Sequence, residues 1–123
     1  MRKTIQSKLE ELTSVESGKI IADDVVVEDT TYFGYDITKN YVDSDFDKNR
    51  TYRVNLTGYL TRLVNPEENT QEIIDNATED IIDKLKELNF RCNSRDITLT
   101  DDLIKTEING YAEYNEINNK FIL

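Results

Sequence analysis

One acidic segment of the chain has the spacing closest to that of a metal-binding loop. Asp43, Asp45 and Asp47 occupy alternate positions, as do the first ligands of an EF-hand calcium loop. The sixth position of such a loop would be Lys48 rather than Gly, and the twelfth would be Val54 rather than a bidentate Glu. We therefore expect a solvated loop here and no bound metal.

The residue types that usually carry catalysis are scarce. The sequence has no His, which excludes His-dependent nucleophiles and His-ligated zinc. Its single cysteine, Cys92, can form neither an internal disulfide nor a Cys-rich metal site, and we expect a strand residue in a reducing compartment. The glycines are isolated, so no glycine-rich phosphate-binding turn is present. We predict a protein that is not an enzyme and takes no cofactor.

The net charge is strongly negative. Lys and Arg total 15 against 25 Asp and Glu, which gives a formal charge of −10 over 123 residues. Tight binding to nucleic acid or to an anionic membrane requires clustered cations, so neither is expected as the main activity. A chain of this length is expected to fold as one domain without disulfides or metals.

Periodicity places the elements of the first half. Apolar residues at helical spacing predict a helix over residues 4–12. The short aliphatic runs 19–22 and 25–27 predict a turn followed by a short strand. Alternating residues over 31–42 and 51–64 predict two strands of an antiparallel hairpin, joined by a long acidic loop.

The second half is expected to add a helix and two further strands. Residues 71–88 have the strongest helical pattern, with a start either at Pro66 or later, at Asn69 or Thr70. Strands are predicted over 90–100 and 103–114, with a turn at 100–102.

The predicted fold class is α+β, with a mainly antiparallel sheet and two principal helices packed on one face. Residues 1–115 are expected to form a single domain, and residues 116–123 a mobile C-terminal tail or arm.

This order of elements resembles that of the tail-terminator, or tail-completion, proteins of long-tailed bacteriophages. The resemblance covers nearly the whole chain and is closest at its end. There an aromatic residue, Phe90, opens a polar strand that contains Arg91 and Arg95, and the acidic turn Asp101–Asp102 leads into a long alternating strand that ends at Tyr114.

The resemblance implies a structural virion protein at the head-proximal end of the tail, assembled in the host cytoplasm. Six subunits would form a ring that caps the tail tube, stops its polymerisation and provides the surface for head joining. The implied partners are further copies of the chain, the tail tube protein and the head–tail connector protein. DNA would pass through the ring without being held tightly, because an acidic lumen repels phosphates.

A closed ring needs two different complementary patches on each subunit, and exposed loops are well suited to form them. Two loops are the candidates for a subunit interface or for the lumen. The candidate residues are Asp43, Asp45, Phe46, Asp47, Lys48, Arg50, Asn65, Pro66, Glu67 and Glu68.

Two alternative functions stay open at this stage. One is another head–tail joining protein of similar size. The other is an acidic binding module, such as a DNA-mimic inhibitor whose carboxylates imitate phosphates toward a basic target.

Overall fold

The structure, a computed structural model, describes residues 1–19, 28–41, 51–100 and 102–122, with the backbone alone at Lys19 and Tyr41. In chain order, its elements are α1 (Arg2–Glu10), β1 (Glu16–Lys19), β2 (Tyr32–Tyr41), β3 (Thr51–Leu63), α2 (Thr70–Glu87), β4 (Arg91–Leu99), β5 (Leu103–Asn115) and β6 (Lys120–Ile122).

All the described strands belong to one sheet with the order β1-β2-β3-β5-β4, and β6 also pairs with β5. β1 runs parallel to β2, and the other pairs are antiparallel. The predicted hairpin is present, because β2 pairs with β3 from Tyr32 opposite Thr61 to Tyr41 opposite Tyr52. The α+β class with a mainly antiparallel sheet is therefore confirmed.

The core lies between one face of the sheet and the two described helices. Alternate residues of the central strands are buried, as the period-two pattern predicts. The helices cover this face with apolar side chains at helical spacing. The most deeply buried side chains include Ile5 and Leu9 from α1, Phe33, Leu56, Leu60 and Ile108 from the sheet, and Ile74, Ile81 and Leu85 from α2.

α2 begins at the later of the two predicted starts. The side chain of Asn69 caps the helix by accepting a hydrogen bond from the backbone N–H of Glu72 at 3.1 Å. A helix starting at Pro66 is thus wrong, because the preceding residues form turns instead. Asn89, with a φ of 66°, follows the helix in the left-handed conformation common after helix C-termini.

The C-terminal segment differs from the expected free tail or arm. Residues 116–119 form a turn, and β6 then pairs with the end of β5. Phe121 is only 9% exposed, and its ring lies 5.2 Å from that of Phe90 and 5.0 Å from that of Tyr114. Burial of this one aromatic ring holds the segment on the domain.

The predicted turn and short strand over residues 19–27 lie almost entirely outside the described residues. The edge strand β1 (Glu16–Lys19) was not predicted, because a four-residue strand containing Gly18 has no readable alternation.

Candidate interaction surface

The structure describes only one of the two predicted loops. Asp43, Asp45, Phe46, Asp47, Lys48 and Arg50 lie outside the described residues. The other predicted residues, Asn65 to Glu68, belong to the segment that joins β3 to α2, which we call the bend segment (residues 64–69).

The bend segment is fixed by an ion pair at the end of β3. Arg62 is 8% exposed, and its Nη2 lies 3.1 Å from Oε2 of Glu68. Its Nη1 donates a hydrogen bond to the hydroxyl of Thr31 at 3.0 Å. The hydrogen bond from Arg62 lowers the pKa of the Glu68 carboxyl below its ordinary value. Glu68 therefore has an internal partner.

Asn65 and Pro66 lie at the rim of a cleft of about 470 Å³ between the bend segment and two other turns. The cleft wall includes the carboxylates of Glu28, Asp29 and Asp102. Asn65 donates a long hydrogen bond, 3.4 Å, to Asp29. Within the described parts of the chain, no group of three or more His, Cys, Asp or Glu is arranged to hold a metal ion.

Cys92 lies half-buried on β4, opposite Gly110 of β5. Burial raises the pKa of its thiol to about 11. A thiol with so high a pKa is almost fully protonated at neutral pH, and only the thiolate is a nucleophile. This agrees with the interpretation of Cys92 as a strand residue.

The side of the sheet away from the helices, the outer face, is polar. No element in the described ranges packs against it. Cross-strand partners project to the same side of a sheet, so the register fixes its members. The neutral polar residues of this face include Thr38, Asn55, Thr57, Thr61, Asn93 and Asn109. Such side chains offer hydrogen bonds without a large desolvation cost.

A tyrosine between two arginines is the most prominent feature of the outer face. The guanidinium of Arg53 lies 4.2 Å from the ring centroid of Tyr111, and Arg91 is opposite Tyr111 on the neighbouring strand. Tyr111 is 36% exposed. Tyr and Arg are the residues most enriched at the energetic centres of protein interfaces. We call these three residues the Tyr111 cluster.

A second group extends the same pattern along the face. The ammonium of Lys105 lies 4.8 Å from the ring centroid of Tyr59, and Arg95 forms an ion pair with Glu107 at 3.1 Å. Hydrogen bonds from Asn109 and Arg95 lower the pKa of Glu107. These contacts hold several long side chains in place, which reduces the entropy lost when a partner binds.

Charge is unevenly divided between the two sides of the domain. Among the described side chains of the outer face, five cations outnumber four acids: the cations are Arg53, Arg91, Arg95, Lys105 and Lys120, and the acids are Glu16, Asp36, Glu107 and Glu113. The solvent side of α2 instead carries an acidic stripe, which consists of Glu72, Asp75, Glu79, Asp80 and Asp83, all exposed. None of these acids forms an ion pair with a described cation. Lys84 of the same helix is paired with Glu11 of α1 at 3.3 Å.

Sequence reasoning did not select the Tyr111 cluster. Alternation over residues 103–114 predicts that Tyr111 lies on the face away from the core. The signal for its neighbours is weaker, because α2 and β4 separate β3 from β5 in the chain, and only the register between these two strands places Arg53 beside Tyr111.

No described helix is long and apolar enough to cross a membrane. Neither a protein-family model nor a curated protein matches this chain.

Proposed function

We propose that the protein is a structural subunit of a phage tail-terminator ring, which caps the tail tube, stops its polymerisation and presents a surface to the head–tail connector. The observation that carries the proposal is the outer face, where an organised, exposed Tyr–Arg cluster lies on a rigid sheet. Such a surface suits a protein partner. The order of elements, which resembles that of tail terminators, supports the choice of this partner class.

The division of charge supports a ring in particular. A closed ring of identical subunits uses heterologous contacts, in which two different patches of each subunit meet. The domain offers two such patches of different character, the outer face and the acidic side of α2. A strongly acidic subunit also suits a channel for DNA, because acidic walls do not retain phosphates.

The first experiment measures the solution mass of the purified protein by light scattering over a wide concentration range, with negative-stain images of the same samples. We expect six times the subunit mass and ring-shaped particles. A protein that remains monomeric at every concentration, or that forms only open chains, would contradict the proposed ring.

The acidic stripe favours a second candidate, an acidic binding module that mimics DNA. Glu72, Asp75, Glu79 and Asp83 are spaced three or four residues apart, about 4.5–6 Å along a helix axis. This candidate predicts a monomer that competes with duplex DNA for a basic nuclease. Competition that disappears when Glu79 and Asp83 are changed to Gln would favour it over the ring.

A further inference from the structure

We propose that the outer face of one subunit docks on the acidic side of α2 in a second copy of this chain. The inference rests on the proposed ring and identifies the two surfaces that would close it. The contact would centre on the Tyr111 cluster, with the acidic stripe of the neighbouring copy lying across it.

The two surfaces face opposite directions within one subunit. The buried side of α2, which includes Ile74, Ile81 and Leu85, packs on the inner face of the sheet. Its acidic stripe therefore points away from the sheet, and the outer face points the other way. A chain cannot join its own two surfaces, so a contact between them requires a second molecule. A contact of this kind is head-to-tail and leads either to a ring or to a filament.

Charge complementarity favours a second copy as the occupant. Arg91 is exposed and has no ion-pair partner among the described residues. Arg53 is stacked on Tyr111 and forms no ion pair with a described carboxylate, although Glu113 lies opposite it in the register. Glu79 and Asp83 have no ion-pair partner within the described ranges. Bringing these two sets together would place unpaired cations against unpaired acids, which gives specificity and a preferred orientation.

The dimensions of the two surfaces are also compatible. α2 has 18 residues, which corresponds to about 27 Å at 1.5 Å per residue. β5 has 13 residues, about 44 Å at 3.4 Å per residue. The outer face is thus long enough to receive the whole helix.

The test uses charge reversal on each side of the proposed contact. One variant is Arg91→Glu, and the other combines Glu79→Arg with Asp83→Arg. All three side chains are exposed, and circular dichroism and thermal melting would establish that both variants fold. Lys3→Glu is the matched control, because it reverses an exposed cation on α1, away from the outer face.

We expect each variant to weaken self-association by at least about tenfold, since like charges then meet at the contact, while Lys3→Glu behaves as the wild type. An equimolar mixture of the two variants should recover most of the assembly. In that mixture, every contact can join either two unchanged surfaces or two reversed ones.

The other outcomes separate the contact from the proposed function. If the wild type forms rings and both variants do so equally well, the contact is wrong and the ring stands. If the wild type forms filaments that the variants abolish and the mixture restores, the contact stands and the ring is wrong. A wild type that is monomeric at every concentration overturns both.

Discussion

Arg62 holds Glu68 through two hydrogen bonds, from Nε to Oε1 and from Nη2 to Oε2, each 3.1 Å long. This two-point contact joins the last turn before α2 to the end of β3. Glu68 also accepts a hydrogen bond from the hydroxyl of Thr70 at 3.3 Å. The geometry of the bend segment therefore depends on a charge pair at the margin of the core.

Replacing Glu68 by Gln is expected to destabilise the protein at neutral pH and to have little effect at low pH. The pKa of Glu68 is lowered by Arg62 in the folded state. Its stabilising contribution is thus complete above the ordinary Glu pKa of 4.5 and is lost as the pH falls through the lower, folded-state value. Urea unfolding of both proteins at pH 7 and pH 3 measures this difference.

The control for that experiment is Glu67→Gln, because Glu67 is an exposed neighbour without an ion-pair partner among the described residues. It should unfold as the wild type does at both values of pH. An equal loss of stability in Glu68→Gln at pH 7 and pH 3 would contradict a role for the charge of Glu68.

Gly58 on β3 is expected to tolerate no side chain. A methyl group at this position would overlap the ring of Phe33 and lie 3.0 Å from Cβ of Tyr35. Gly58→Ala should reduce the free energy of unfolding by about 1–3 kcal/mol, as other overpacked cores do. Chemical denaturation would measure the loss.

Gly18→Ala provides the comparison. There the added methyl group would meet only the hydroxyl end of Tyr32, at 3.0 Å, and this end of a tyrosine can shift more easily than the fully buried ring of Phe33. A loss at Gly58 no larger than that at Gly18 would show that the Phe33 ring can move aside.

Phe121→Ala is expected to detach β6 from the end of β5. The side chain fills the space between Phe90 and Tyr114, and its removal should cost about 3 kcal/mol, the lower end of the range for buried Phe. Ile117→Ala, at a side chain that is 58% exposed, should be nearly neutral. Thermal melting gives the stabilities, and amide hydrogen exchange in β6 reports whether the strand opens.

Cys92 is expected to react slowly with thiol reagents while the protein is folded. Its pKa of about 11, against 9.0 for an unperturbed thiol, leaves roughly a hundredfold less thiolate at pH 8. Because this pKa is raised in the folded state, the associated stability is present below pH 9 and declines as the pH rises toward 11. Labelling with Ellman's reagent, with and without urea, measures the difference, and equal rates would contradict it.

Local periodicity was sufficient to predict the larger elements and which of their residues are buried. Each of these elements can be recognised from the pattern within its own segment: the helical repeat over residues 71–88 and the alternation over 51–64 and 103–114. The predicted bounds agree with the structure to within one or two residues. Residue types that favour a helix start also limited the first residue of α2 to a few candidates. Asn69 is one of them, and it is the N-cap in the structure.

The remaining features could not be predicted in this way, because they depend on contacts between residues that are distant in sequence. Arg62 lies buried at a strand position that alternation assigns to the core, but only the fold brings Glu68 and Thr31 to its guanidinium. Phe121 is held in place only because the end of β5 and the residue just before β4 bring Tyr114 and Phe90 against it. The Tyr111 cluster likewise follows from the register between β3 and β5. Local periodicity does not determine this register. It is fixed by the packing of the inner faces of both strands against the helices.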